Sequence, residues 1–369
     1  MITTYQQLAE WHTRASAQPE GRVVMDLEAD SLHRYRERLC LIQYADAHGV
    51  EIIDPLVIDD MGPFVQWLQG TQVWMHGADY DMQLLQRAYR TLPAMVLDTQ
   101  VAARLLGFRQ FGLAALVEHF YGIKLSKKNQ KADWGKRPIR EDMIDYAQGD
   151  VVYMLDMADR LVKMLRKKKR YEWFIESCQV NMTRARIRFT GGGDDVSEAD
   201  APWRLKGCGK LNRRGLAALR SLYEWRSQEA MEWDRPAFMV CSNAQLLQWS
   251  AQLQEFRTIK APPKMFSDRT HRLYKAVDHF QLLDEEEYPA LPVRKGKRKV
   301  ESIANLVNAW SARRDAQAAK LGVDPSIIAS RSQLEDIAHD EEAGLSRLMD
   351  WQRSLLTAAA PRRRKWWFL

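Results

Sequence analysis

Four short apolar runs near the N-terminus, followed by a series of helical patterns, limit the folds open to this 369-residue chain. The runs are bounded by polar or turn residues, as β-strands are, and they read RVVMDLEA (22–29), LCLIQYA (39–45), VEIIDP (50–55) and QVWMHG (72–77). The first three follow one another as closely as the strands of an antiparallel meander. Patterns with the helical period come next, near residues 61–69, 79–90, 98–106, 112–121 and 141–169. Strands that then alternate with helices predict an α/β domain with a mixed sheet flanked by helices.

Charge divides the chain into two unlike parts. Residues 1–159 contain 16 Lys and Arg against 22 Asp and Glu, a balance of −6, whereas residues 160–369 contain 39 against 26, a balance of +13. Such a division is typical of a catalytic module that uses carboxylates to hold metal, joined to a module that meets a polyanion. A basic surface that only aids solubility would give the same totals. Charge therefore favours a nucleic-acid partner without excluding that alternative.

The four cysteines lie far apart and form no CxxC pair, which argues against a zinc site or a disulfide framework. Free thiols suit a reducing compartment, and the first residues lack the basic and then apolar layout of a signal peptide. No apolar run is long enough to span a bilayer, so no membrane partner is expected. We therefore predict a cytoplasmic protein.

Two acids interrupt the first apolar run. Asp26 and Glu28 lie two residues apart, so the period of a strand places both side chains on one face of the sheet. Two carboxylates in such a place repel each other and lose hydration, a cost that a divalent cation between them would offset. A pair of acids at an exposed strand end is the alternative. The pair alone leaves both interpretations open.

Further acids follow at a strand-to-helix junction and on a later helix. Asp81 lies five residues after His76, where an apolar strand gives way to a helix, and Tyr146 lies four residues before Asp150 in a helical pattern. The latter spacing puts both side chains on one helix face. Helix capping is an alternative role for Asp81, and His76 alone is more typical of a hydrogen-bonded structural histidine. A YxxxD match alone is common by chance.

In this order, the motifs DxE, HxxxxD and YxxxD resemble the three exonuclease motifs of the DEDD superfamily, in its tyrosine-bearing branch. The segments LCLIQ (39–43), DWGKRPI (133–139) and YAQGDVVYML (146–155) are similar to the ribonuclease D family, and the resemblance covers about residues 20–165. Leu27 stands where many relatives have threonine. That position between the two acids should face away from the metals, so activity is still expected.

The resemblance implies an RNase H-like fold and a site for two divalent metal ions, Mg²⁺ or Mn²⁺. By motif position the metal ligands are Asp26, Glu28, Asp81 and Asp150, and Tyr146 orients the attacking water. The implied activity is that of a metal-dependent 3′→5′ exoribonuclease that releases nucleoside 5′-monophosphates. The implied partners are RNAs with single-stranded 3′ ends, namely tRNA precursors and other small structured RNAs.

The rest of the chain is predicted to be helical. Residues 189–203, with three glycines and a proline, are a linker by composition, and residues 205–250 are similar to the nucleic-acid-binding HRDC domain. We predict an exonuclease domain followed by two small all-α HRDC-like domains, the second one diverged. The predicted bounds are 1–188 for the exonuclease domain, 189–203 for the linker, 204–287 for the first HRDC-like domain, 288–300 for a basic linker and 301–369 for the second HRDC-like domain.

Two basic segments are candidates for RNA contact, and a solvated surface is the alternative for each. Residues 160–188 contain ten Lys and Arg and two acids, as a basic collar leading RNA from the active site would. The loop at 126–134 precedes the third motif, and its polar and aromatic side chains suit contacts to phosphates or bases. The candidate nucleic-acid-binding residues are Gln43, His76, Lys127, Lys128, Gln130, Lys131 and Trp134.

Two other functions compete with an exoribonuclease. DNA proofreading domains share the same acids, so a DNA 3′→5′ exonuclease is one alternative. A catalytically silent RNA-binding scaffold is the other, although the presence of all four acids and Tyr146 argues against it. The sequence does not reveal protein partners.

Overall fold

The computed structural model describes residues 1–17, 22–190, 201–291 and 300–358. These residues form two compact units. The first unit contains the described parts of Met1–Glu28, Leu39–Thr190 and the C-terminal helices, and the second contains Ala29–Arg38 and the helices between residues 201 and 291. No helix among the described residues is long and apolar enough to cross a membrane.

The first unit is built on a five-stranded sheet. Its strands are β1 (Val23–Ala29), β2 (Leu39–Asp46), β3 (Gly49–Ile53), β4 (Gln72–Met75) and β5 (Met95–Asp98). They lie in the order β3-β2-β1-β4-β5. Strands β2 and β3 are antiparallel, whereas β4 runs parallel to both β1 and β5. The predicted mixed sheet is therefore confirmed.

Two helices cover one face of this sheet, α1 (Tyr5–Ser16) and α2 (Gly62–Gly70). Trp11 of α1 is fully buried, and its ring lies 5.2 Å from the ring of Tyr44 in β2 and 5.0 Å from that of Trp67 in α2. Because successive side chains of a strand point to opposite faces, Gln43 beside Tyr44 faces the other side of the sheet.

Six more helices complete the N-terminal part of this unit: α3 (Asp79–Tyr89), α4 (Thr99–Leu106), α5 (Leu113–Tyr121), α6 (Glu141–Val151), α7 (Met154–Lys167) and α8 (Tyr171–Thr190). Helix α6 packs on β2 through a small apolar cluster that contains Leu41 and Ala147. The predicted helical pattern at 141–169 is thus two helices that divide at Val152 and Tyr153.

The second unit is helical, with α9 (Arg213–Trp233), α10 (Ala237–Val240), α11 (Asn243–Gln254) and α12 (Ser267–Gln281). Leu216, Leu222, Trp249 and Leu273 lie in its core. The side chain of Glu229 is 2% exposed and forms ion pairs with Arg269 and Arg272, which satisfies the buried carboxylate.

The C-terminal helices are α13 (Val300–Leu321), α14 (Pro325–Ile328), α15 (Arg331–His339), α16 (Glu341–Ser346) and α17 (Asp350–Ala358). They share one apolar core with α4, α7 and α8. Trp351 of α17 stacks on Trp173 of α8 with ring centroids 5.1 Å apart. Their assignment to a separate HRDC-like domain stays a prediction, and the predicted linkers at 189–203 and 288–300 lie mostly outside the described residues.

Candidate active site

Strand β1 presents the first two acids. Leu27 between them is buried, whereas Asp26 and Glu28 are half-buried, as the alternation of a strand requires. A carboxylate oxygen of Asp26, one of Glu28 and one of Asp150 all lie within 4.8 Å of one another. The side chains of the first and third motifs therefore meet at one point, although Glu28 and Asp150 are 122 residues apart in the sequence.

Helix α6 supplies Asp150 together with Tyr146. The Tyr146 hydroxyl donates a hydrogen bond to the Asp150 carboxylate, as expected for residues one helical turn apart. The Tyr146 ring in turn packs near the ring of Trp134, with centroids 6.0 Å apart. Trp134 therefore packs against the Tyr146 ring from the protein side and limits its movement.

Asp81 is the fourth acid, in the first turn of α3. Its side chain is buried, and it is not part of the group of three oxygens within 4.8 Å. Burial and then repulsion from Asp26 raise its pKa, and its own charge adds to the burial and the other charges that raise the pKa of Glu28. The four predicted acids therefore form one electrostatic cluster.

Burial and mutual repulsion hold these carboxyls far from their usual titration range. Burial first and then the charge of Asp150 raise the pKa of Asp26 to about 7. Burial and then the charges of Asp26, Asp150 and Asp81 raise the pKa of Glu28 to about 9. The pKa of Asp150 rises to about 6 through burial, although the hydrogen bond from Tyr146 opposes this. Burial also raises the pKa of Tyr146, so its hydroxyl stays protonated.

The chemistry of this donor set fits a divalent metal. All the donors are carboxylate oxygens, the ligands that hard divalent cations prefer. Carboxylates clustered this closely repel one another, and a divalent cation between them would neutralise their charge. Asp26, Glu28 and Asp150 are placed to hold it, with Asp81 beside them.

A supporting network that the sequence analysis did not single out holds the turn before α3. The Asp98 carboxylate at the end of β5 accepts hydrogen bonds from the backbone N–H groups of Gly77, Ala78 and Gln100, at 2.9, 3.1 and 2.7 Å. Thr99 hydroxyl lies 2.9 Å from His76 Nδ1 and donates to the Met75 carbonyl. The sequence position of Asp98, between an apolar run and a helix, predicts that it caps α4. It does not predict that the same carboxylate also holds the turn at Gly77 and Ala78.

His76 is mainly a structural residue in this arrangement. Burial lowers the pKa of its imidazole. Its Nδ1 is held by Thr99, while its Nε2 is buried with no hydrogen-bond partner among the described residues. Gln43 is fully buried on β2, and neither atom of its amide has a partner within the described ranges. Because the Gln43 side chain is enclosed by protein, direct contact of Gln43 with RNA is wrong as a prediction, whereas His76 is partly exposed and its assignment to nucleic-acid binding stays a prediction.

The loop between α5 and α6 is divided between surface and core. Lys127, Lys128, Gln130 and Lys131 are exposed, as RNA contacts require. Trp134 is only 1% exposed and packs in the apolar cluster beneath α6. Stacking of a base on Trp134 is therefore wrong as a prediction, because the ring is enclosed by protein.

A cavity of about 290 Å³ lies between α6 and the loop before it and reaches Asp150. It is lined by catalytic candidates Tyr146 and Asp150 and by the neighbouring loop, which contributes Lys124, Ser126 and Lys128. Lys128 Nζ lies 3.6 Å from an Asp142 carboxylate oxygen, which makes a long ion pair. Lys128, one of the residues predicted to contact RNA, thus lines the cavity that reaches Asp150.

Comparison with known proteins agrees with this geometry. Residues 1–166 match the family model described as 3′-5′ exonuclease, and residues 215–265 match the HRDC domain model. These matches identify a 3′-5′ exonuclease domain in the N-terminal part of the chain and an HRDC domain beyond it.

Similar proteins of known name indicate which kind of 3′-5′ exonuclease this chain resembles. Ribonuclease D of Cronobacter turicensis is 34% identical over 238 residues, which are 63% of this chain and 62% of that protein. Ribonuclease D of Musicola paradisiaca is 28% identical over an alignment that covers 96% of this chain and 91% of that protein. The chain is therefore similar to ribonuclease D proteins, and at 28% identity the similarity extends over nearly its whole length.

Solved structures show the same fold. Escherichia coli RNase D, described as an exoribonuclease involved in structured RNA processing, matches with a TM-score of 0.72 and 22% identity over 98% of this chain and 99% of that chain. A protein from Bifidobacterium adolescentis matches with a TM-score of 0.77 and 22% identity over 97% and 95%. The likeness extends over both compact units.

Proposed function

We propose that this chain removes nucleotides one at a time from the 3′ end of RNA and releases nucleoside 5′-monophosphates. The observation that carries the proposal is the meeting of Asp26, Glu28 and Asp150 oxygens within 4.8 Å. Asp81 lies in the same electrostatic cluster, and Tyr146 is hydrogen-bonded to Asp150.

Asp26, Glu28, Asp81 and Asp150 would hold two divalent cations, Mg²⁺ or Mn²⁺. When bound, the metals lower the pKa of the attacking water and stabilise the departing 3′-oxygen. Tyr146 acts by position, because its raised pKa makes it a poor base. Its hydroxyl is fixed by Asp150 and so presents an oxygen lone pair that orients the water.

The products follow from the direction of attack. The water oxygen forms a bond to the phosphorus of the last phosphodiester, and the bond between phosphorus and O3′ of the preceding nucleotide breaks. One water proton leaves to solvent and another proton reaches the O3′ leaving group. The released nucleotide keeps the phosphate on its 5′-oxygen, and the shortened RNA keeps a free 3′-hydroxyl for the next cycle.

The preferred substrates are single-stranded 3′ ends of tRNA precursors and other small structured RNAs. Support comes from the ribonuclease D relatives, from the HRDC match and from the ten Lys and Arg in residues 160–188. Most of these basic residues lie on α7 and α8 of the first unit. They would attract the phosphate backbone from the same unit that carries the acids.

Matched RNA and DNA oligonucleotides incubated with Mg²⁺ test the proposal. Asp26→Asn and Asp150→Asn should each fall below about a tenth of the wild-type rate, because a neutral amide holds a dication poorly. Asp145→Asn is the control, since Asp145 is an exposed acid on the same helix. Faster hydrolysis of DNA than of RNA would favour the DNA exonuclease instead, and no hydrolysis of either would favour a silent scaffold.

A further inference from the structure

The connection between α11 and α12 carries two unusually exposed rings. Phe256 is 81% exposed and Phe266 is 70% exposed, more than any other phenylalanine among the described residues. Between them the chain contains Arg257, Lys260 and Lys264, and residues 257–267 contain no acid. Exposed rings beside a run of cations are typical of surfaces that bind single-stranded nucleic acid.

The backbone of Phe256 is in the left-handed region, with φ 59°. It lies two residues beyond the end of α11, where its N–H donates to the Leu253 carbonyl and the Arg257 N–H donates to the Gln252 carbonyl. This helix-end position favours glycine, and a bulky side chain is strained there. Most of the side chain stays exposed, at 81%, so burial in a core does not account for phenylalanine at this position. Strain of this kind points to a function for the side chain.

Arg214 of α9 holds the ring from one side. Its guanidinium carbon lies 4.2 Å from the centroid of the Phe256 ring and 5.0 Å from that of the buried Phe280. The guanidinium is itself fixed by hydrogen bonds to the Leu253 carbonyl and to the Tyr288 hydroxyl. Phe256 therefore has one ring face against a fixed cation and the other face open to solvent.

We propose that Phe256, backed by Arg214, is a stacking platform for a nucleobase of single-stranded RNA. Phe266 offers a second ring, and Arg257, Lys260 and Lys264 contact the phosphates between stacked bases. Arg257 is available because its ion pair with Glu255 joins two exposed side chains, which form weak pairs. The proposal rests on the proposed function in one respect, namely that the ligand is the RNA substrate.

The test measures binding of the full-length protein, in EDTA, to a short single-stranded RNA that contains the fluorescent base 2-aminopurine. Stacking quenches this base, so wild type should bind with quenching. Phe256→Gly should weaken binding by about 5- to 100-fold and reduce the quenching, because a stacked base contributes that much to affinity. Phe256→Tyr keeps a ring and should bind within about twofold of wild type.

Controls separate stacking from folding and from charge. Glycine suits the left-handed position, so Phe256→Gly should not lower the melting temperature. Phe238 is also exposed, at 58%, but lies on α10, and Phe238→Ala should leave binding unchanged. The double variant Lys260→Ala, Lys264→Ala should lower the salt dependence by about 0.7 log units per lost phosphate contact and keep the quenching.

Unchanged affinity and quenching in Phe256→Gly would overturn the proposal and leave the connection as a surface for a protein partner. An equal loss of binding in Phe238→Ala would overturn it too, since the effect would then not belong to this ring. Affinity and quenching are both measured in EDTA, so neither depends on catalysis. Failure of the wild type to hydrolyse RNA with Mg²⁺ would instead refute the proposed function.

Discussion

At the scale of single residues, the acids of β1 and α6 must lose protons before they can hold a metal. With pKa values of about 6 for Asp150, about 7 for Asp26 and about 9 for Glu28, all three are largely protonated at pH 5 in the metal-free protein. The folded state then binds more protons than the unfolded state, whose acids titrate near pH 4. The stability that these protons contribute is therefore lost as pH rises through the raised pKa values.

The same protons compete with metal, so affinity for Mg²⁺ or Mn²⁺ should rise steeply between pH 6 and pH 9. Calorimetric titration of the metal-free protein in two buffers of different ionisation enthalpy would count the protons released on binding. We expect release at pH 7 and a smaller release at pH 9. Affinity that stays flat across this range, with no proton release, would contradict the raised pKa values.

Tyr146 allows a second prediction at this scale. Tyr146→Phe removes only the hydroxyl that positions the water, so kcat should fall by roughly 10²–10⁴-fold. RNA binding and the metal concentration for half-maximal activity should change little. The acid limb of the pH profile should also move upward, because Asp150 loses a hydrogen bond that lowers its pKa. Tyr153→Phe is the matched control, since Tyr153 is half-buried and packs against Tyr121. Unchanged single-turnover kcat would mean that Tyr146 is structural.

At the scale of elements, the position of Asp81 depends on how β4 passes into α3. The intervening turn has no hydrogen-bonded side-chain cap at Ala78, and Asp98 of β5 supplies the acceptor instead. β5 lies next to β4 in the sheet, with Met75 paired to Asp98. A strand end thus fixes the start of a helix through backbone N–H groups.

Asp98→Ala should therefore weaken metal binding without removing a ligand. We expect the metal concentration for half-maximal activity to rise about 10- to 100-fold, as is usual when groups that orient metal ligands are lost. Asp79→Ala provides the control, because Asp79 is an exposed acid in the first turn of the same helix. Saturating Mn²⁺ should restore most of the rate of Asp98→Ala. An unchanged metal midpoint, or a rate that no metal concentration restores, would contradict a positioning role.

The sequence predicts the elements that have a clear period and misses those that do not. Alternation in an apolar strand places Asp26 and Glu28 on one face of the sheet, and helical spacing places Tyr146 and Asp150 on one helix face. Their joint role as a metal site is implied only by the resemblance of the motif order to the DEDD superfamily. β5 has only four residues, too few to show alternation, and it merges with the helical pattern at 98–106. Burial of Trp134 depends on Leu41 and Ile52 of distant strands, which no local pattern reveals.

At the scale of the whole chain, the basic excess is not spread over the C-terminal part. Residues 160–188 contain ten Lys and Arg against two acids, whereas residues 301–358 contain six against nine, a balance of −3. Residues 201–291 contain fourteen against eleven. The final helices are therefore poor candidates for attracting a polyanion through net charge. Their contacts indicate another role, which is to complete the core of the first unit.

Three kinds of contact join these helices to α4 and α8. Buried Arg170 donates to the Leu105 carbonyl at 2.6 Å and to the Leu321 carbonyl at 2.7 Å, at the ends of α4 and α13. Glu176 accepts the Asp350 N–H at the start of α17. Gly107 has φ 92°, and a Cβ there would overlap the Gly322 carbonyl oxygen, so only glycine allows this approach.

A protein that ends at Thr190 keeps all four acids and Tyr146, yet we expect it to lose cooperative folding. It would expose the apolar surface of α4, α7 and α8 and leave Arg170 without one of its acceptors. The matched variant instead deletes residues 191–295 and joins Thr190 to the C-terminal helices through about 20 Gly and Ser residues, which span roughly 25 Å on average.

The internal deletion should melt cooperatively in circular dichroism and still degrade a short unstructured RNA, because it keeps the core of the first unit. Its affinity for RNA should be weaker than that of the full chain, since it lacks Phe256 and the HRDC helices. The Thr190 truncation should show no cooperative transition and no activity. If the truncation melts like the full chain and cleaves RNA at the full rate, the C-terminal helices are dispensable for the catalytic core and their shared packing is not what stabilises it.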